Sequence, residues 1–224
     1  SGEPTTTGTA LGILYKQFDE LASMFSTDAE VQLEEMRQAW RKGEKQRAVD
    51  WLTRIRHERW TMLSERVKSR LLTFQGSLAL DDDDIEDARS LVEEASTHAI
   101  TESVGRLRAL IAKREGNGAI ALSRLDGFEE PDSLNLRAAI HLDSGQVQEG
   151  EAILQNLISQ EKANAETYRI LALACLCTRR LDQARYSIEL STELEPHWVT
   201  VRYAAATIEY FRSISPGGFP QGPI

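Results

Sequence analysis

An all-α fold is what this sequence predicts: a stack of about five helical hairpins between an N-terminal amphipathic helix and a C-terminal capping helix. Three observations carry the prediction. Only 6 of 224 residues are proline and 14 glycine, and four of the prolines, Pro4, Pro216, Pro220 and Pro223, stand near the two ends. The middle is rich in Ala, Leu, Glu, Arg and Gln, which favour helix. Small residues also recur in pairs 12 apart: Gly76 with Ala88, Ala109 with Ala121, Ala138 with Gly150 and Ala172 with Ala184; Met36 and Ala48 share the spacing. Such pairs let the two helices of a hairpin approach closely. Finally, a glycine precedes the second member by five residues in three cases, Gly43, Gly116 and Gly145, where it ends the first helix in the left-handed conformation.

In chain order, residues 1–8 form a Gly- and Thr-rich tail, and Leu11, Leu14, Tyr15, Phe18, Leu21, Ala22 and Phe25 recur at helical spacing to give an amphipathic helix. The hairpins follow near 29–62, 63–100, 101–130, 131–164 and 165–197. The second members Ala48, Ala88, Ala121, Gly150 and Ala184 are 40, 33, 29 and 34 residues apart, so the units are unequal. The long first interval calls for longer helices or a longer turn at the acidic run Asp81–Asp84, and the short third for a second helix ending near Gly127. In the second and fifth hairpins the place of the turn glycine falls to that acidic run and to Arg179. A helix over 198–213, with Ala206 in the small-residue place and Tyr203, Ile208 and Phe211 to pack, caps the single domain 9–214. Residues 215–224 form a second tail.

The stretch Ala165–Pro196 has Tyr168, Leu171 with Ala172, Cys175, Ala184 with Ile188, and a closing Pro196. It resembles a tetratricopeptide repeat, and the spacings above bracket that family's 34-residue period. Cys175 stands where an aromatic is usual and Arg179 where a turn glycine is usual. The resemblance implies a right-handed α-superhelix whose first helices line a concave face that holds a peptide or helix. Transferred to this chain, that face comprises Leu33, Arg37 and Trp40; Thr73, Ser77 and Leu80; Arg106, Leu110 and Lys113; Asn135, Ala139 and Leu142; and Arg169, Leu173 and Leu176. Its mixture of apolar and basic groups suits an acidic or amphipathic partner segment. The carboxylate clamp of the chaperone-binding members is absent, because Leu107 and Leu110, Leu136 and Ala139, and Ile170 and Leu173 accompany Arg106, Asn135 and Arg169.

The residues offer no catalytic constellation, so the expectation is not an enzyme, with no cofactor and no metal. His57, His98, His141 and His197 are scattered without ligand spacing, and GNG at 116–118 is too short for a phosphate loop. The Asp81–Asp84 run lacks the alternation, central glycine and closing glutamate of a calcium loop; it reads as the negative start of a helix, with basic-partner contact as the other option. Cys175 and Cys177 point to different faces, which excludes a disulfide between them.

Charge is uneven. Residues 37–70 carry eleven Lys and Arg against four acidic side chains, a local +7 in a chain of −9, interleaved with Trp40, Trp51 and Trp60. This is either hairpin packing with a solvated basic face or a nucleic-acid surface through Arg54, Arg56, Arg59 and Lys68. No run reaches the length of a membrane span, and the chain opens at Ser1, so an intracellular, cytoplasmic piece of a larger protein is expected. The sequence thus predicts a protein-interaction module, as adaptor, scaffold, assembly factor or chaperone, with nucleic-acid binding as the alternative and self-association through the N-terminal helix or C-terminal tail as a further option.

Overall fold

The computed structural model describes residues 24–25 and 27–214, and among these every regular element is helical. Helix α1 (27–41) is followed by α2 (Lys45–Glu58), a 3-10 turn (Trp60–Met62), α3 (Glu65–Asp81) and α4 (Ile85–His98). Then come α5 (Glu102–Arg114), α6 (Gly118–Ser123), α7 (Pro131–Asp143), α8 (Val147–Ser159), α9 (Ala165–Cys177), α10 (Leu181–Leu194) and α11 (Val199–Ser213). Apart from Phe25, the predicted N-terminal helix and both tails lie outside the described residues. The fold divides into two compact units, Ser1–Trp40 with Glu44–Val104 and Arg41–Gly43 with Gly105–Ile224.

Successive helices pack as hairpins, α3 on α4, α7 on α8 and α9 on α10. In the second unit the first helices also touch in sequence, α7 against α9 and α9 against α11. The five hairpin turns share one geometry. The residue five before each second small residue has positive φ: Gly43 at 90°, Asp83 at 61°, Gly116 at 78°, Gly145 at 77° and Arg179 at 61°. The next amide then donates to the carbonyl five residues back: Glu44 to Ala39, Asp84 to Ala79, Asn117 to Ala112 and Gln146 to His141, each at 2.9 Å, and Arg180 to Cys175 at 2.8 Å. This bond closes the helix end and satisfies a carbonyl that the helix leaves unpaired. The spacing therefore locates the left-handed residue even where it is Asp or Arg. A Cβ at Gly145 would meet nothing within 4 Å. Gly145→Ala is consequently expected to cost about 1 kcal/mol from backbone strain alone, measured as a shift in the urea midpoint.

All ten members of the five small-residue pairs are buried. The core of the first unit gathers Leu33, Met36, Ala48, Trp51, Leu52, Leu71, Phe74 and Leu78; that of the second gathers Ala138, Leu154, Ile170, Ala172, Ala184, Ile188, Val201, Ala204 and Ile208. The extra length of the first interval goes into the 17-residue α3 and the 3-10 turn before it, not into the acidic turn. The short third interval leaves α6 only six residues, and Gly127, at φ 78°, turns the chain after it.

Ala206 does not take the small-residue place of α11: Val201, Ala204 and Ile208 are buried while Ala206, Tyr203 and Phe211 are exposed. In a hairpin the small residue of the first helix faces its own second helix. Among the described residues α11 has no second helix, so that position is open and only the residues facing α9 and α10 are covered.

Candidate functional site

The acidic run of the first unit is consumed locally. Trp40 Nε1 donates to Asp81 at 2.7 Å, Lys45 pairs with Asp82, Asp83 holds the left-handed turn, and Asp84 accepts from the Asp87 amide at 2.9 Å to cap α4. The basic block is treated in the same way. Arg56 pairs with Glu94 at 2.9 Å and lies over Trp60, Arg59 reaches Asp28 at 3.1 Å and lies over Phe25, and Lys68 pairs with Glu65 at 2.7 Å. Lys68, then His98, hold the Glu65 carboxyl below its ordinary pKa. Arg70 reaches Glu30, while Arg54 is exposed. Trp51 is in the core with its indole on Gln32 at 2.8 Å, and Trp40 meets Phe74 edge to face at 5.8 Å. Most of the partner carboxylates come from outside the block, so its local excess of positive charge is largely neutralised within the fold.

Of the residues expected on the concave face here, Arg37 is half-buried over the Phe74 ring and Ser77 bonds back to the Thr73 carbonyl at 3.0 Å. Leu33, Thr73 and Leu80 are buried and so do not belong to an accessible surface.

The second unit brings the remaining residues onto consecutive first helices. Arg106 of α5 pairs with Glu130 at 2.5 Å and lies 3.4 Å from Ser133; Lys113 pairs with Asp143 of α7 at 2.9 Å. Arg169 of α9 takes both Glu166 oxygens at 2.6 Å. Burial alone lowers the pKa of Arg169, but the two bonds to Glu166 outweigh it and raise it overall. Asn135 is only 1% exposed and is a structural tie: its Nδ2 donates to Asn164 Oδ1 at 3.0 Å, and its own Oδ1 is buried without a partner. Asn164 caps α9, exchanging bonds with Thr167.

Leucines on the same helices share this partial exposure. Leu110, Leu142, Leu173 and Leu176 are half-buried, the last three packed on the core with one flank toward solvent. Sequence reasoning missed the continuation of this row. Tyr203 and Tyr210 stand 34 residues after Arg169 and Leu176, on α11, and are 76% and 62% exposed. The period would have found them, had α11 not been read only as a cap. Along the sequence of α5, α7, α9 and α11 these positions thus pass from ion-paired cations through leucines to tyrosines.

A separate cleft of about 590 Å³ lies among α8, α9 and α10, with Leu171 and Cys175 among its lining residues. Burial pushes the Cys175 thiol pKa up, and Arg180 at the rim is held by Glu151 and Gln183. Cys177 is free and exposed. Among the described residues no three His, Cys, Asp or Glu side chains gather to hold a metal, and no helix is long and apolar enough to cross a membrane. No family model, no curated protein and no solved structure matches this chain.

Proposed function

We propose that the chain is a peptide-binding module of tetratricopeptide-like hairpins, and that the face along α7, α9 and α11 is where the partner segment lies. One observation carries this reading: half-buried Leu142, Leu173 and Leu176 continue in register into two exposed tyrosines, Tyr203 and Tyr210. Exposed aromatics beside an apolar floor supply contact area at low entropic cost, with hydroxyls left to bond a peptide backbone. The charge of the face also selects the partner. Arg106, Lys113 and Arg169 already have carboxylates at 2.5, 2.9 and 2.6 Å, so an incoming acidic group would have to displace Glu130, Asp143 or Glu166. An apolar, weakly charged segment fits better than the acidic one that the basic residues suggest by themselves. Arg56, Arg59 and Lys68 are likewise paired, and no observation favours the nucleic-acid alternative.

Panning a displayed peptide library on the purified protein tests the reading. Selected peptides should bind Tyr203→Ala, whose side chain lies outside the core, at least tenfold more weakly, with Arg169→Ala of smaller effect. Equal affinity for wild type and Tyr203→Ala, with Leu173→Asp equally unaffected, would remove this face as the site.

A further inference from the structure

Ala206 stands 34 residues after Ala172, yet Ala172 is buried and Ala206 is exposed. It belongs to a longer seam. Val199, Tyr203, Ala206, Tyr210 and Ser213 follow one another at steps of four, three, four and three residues, and all five are exposed and uncharged. Val201, Ala204 and Ile208, which join the core formed with α9 and α10, occupy the opposite side of the helix. Steps that average 3.5 residues are those of a helix that pairs lengthwise with another helix. A stack of helical hairpins also needs its last apolar face covered.

We infer that this seam is covered by α11 of a second copy of the chain, running antiparallel about a two-fold axis. Size and charge along the seam decide the occupant and its direction. In an antiparallel pair, Tyr203 of one copy falls against Ala206 of the other and Tyr210 against Val199, so each large side chain meets a smaller one. The same register brings Arg202 of each copy beside Glu209 of the other, and the two-fold axis repeats the contact. Both residues are exposed, on the same flank of the seam. Glu209 meets Arg212 of its own helix at 3.5 Å but keeps 59% of its side chain exposed, enough to receive a second cation. A parallel pair instead sets Arg202 and Glu209 against Thr207 and Ile214, where neither finds an opposite charge. One helix of 15 residues per copy, about 22 Å long, makes a small interface, so one and two copies should interconvert at micromolar concentrations. The inference does not rest on the peptide reading, but it uses Tyr203 and Tyr210 as that reading does, so dimer and peptide exclude each other.

Sedimentation of the full chain from about 2 to about 200 µM provides the test, at low salt because exposed charge pairs weaken as salt rises. The average mass should climb toward that of two copies. Arg202→Glu and Glu209→Arg should each weaken association about tenfold, because each sets like charges opposite one another at both ends of the pair. An equimolar mixture of the two variants should associate as wild type does, and so should the chain that carries both exchanges, since each arrangement restores opposite charges across the axis. Ala206→Arg, at an exposed position outside the core, should abolish the dimer while the helical circular dichroism stays unchanged. A single copy at every concentration overturns the inference. So does a dimer indifferent to Ala206→Arg, or one that the paired charge exchanges fail to restore. Arg202→Glu leaves both tyrosines in place, so peptide binding measured on this variant reports on the groove separately from the dimer.

Discussion

Gly150→Val is expected to lower stability by about 3 kcal/mol, the upper part of the range for overpacking a filled contact. Gly150 is the second small residue of the fourth hairpin. A Cβ there would lie 3.0 Å from the Ala138 carbonyl oxygen and 3.0 Å from Leu142 Cγ and Cδ2. The carbonyl belongs to α7 and cannot yield without moving that helix, and valine adds two further methyl groups. Ala152→Val, on the exposed side of the same helix, provides the control, because it changes propensity without touching α7 and should cost no more than about 0.7 kcal/mol. Urea midpoints for the two variants decide the matter. Equal costs would mean that the small-residue pairs do not set the helix separation. Leu142 also lines the proposed face, so Gly150→Val should weaken peptide binding in addition, whereas Ala152→Val should not.

A second large effect is expected at Asn135. Replacing it by aspartate keeps the shape but sets a carboxylate oxygen against Asn164 Oδ1, which lies 3.0 Å from the present donor and already accepts from the Thr167 amide at 3.1 Å. An isolated buried charge of this kind costs roughly 3–5 kcal/mol at neutral pH. The pH dependence follows from which state ionises first. Burial raises the carboxyl pKa in the folded chain above its unfolded value near about 3.9. Below the unfolded value both states are protonated and the penalty is small. It grows as pH rises, until the folded pKa is passed. The stability difference between wild type and Asn135→Asp should therefore widen from pH 4 to pH 8, and a difference independent of pH would contradict the assignment. Asn135→Leu removes the unpaired Oδ1 together with the donor, so its cost should stay near about 1 kcal/mol.

The hairpin turns were readable because a left-handed residue followed by a return bond is a local requirement, written in a fixed offset from a small residue. The same offset holds at Asp83 and Arg179, where the residue type by itself would have misled. Ala206 was misplaced because its role depends on a second helix that α11 lacks among the described residues. Pairings such as Arg56 with Glu94, 38 residues apart, have no signature in the linear chain. Their effect on the site is nonetheless large: in a block that counts as +7 by composition, most of the cations have a carboxylate partner within the fold. Asn135 illustrates the same limit, since helical register places it on the inner row but cannot reveal that Asn164 closes over it.

The brevity of α6 has a consequence in time. Six residues allow only about two helical hydrogen bonds of their own, and Ala121 is the one side chain of this helix that is buried. A helix so short is marginal without its neighbours. Its amides should be the first of any helix here to exchange with deuterated solvent, and a protease that waits for such openings should cut beside the exposed Arg124 while the longer hairpins remain closed.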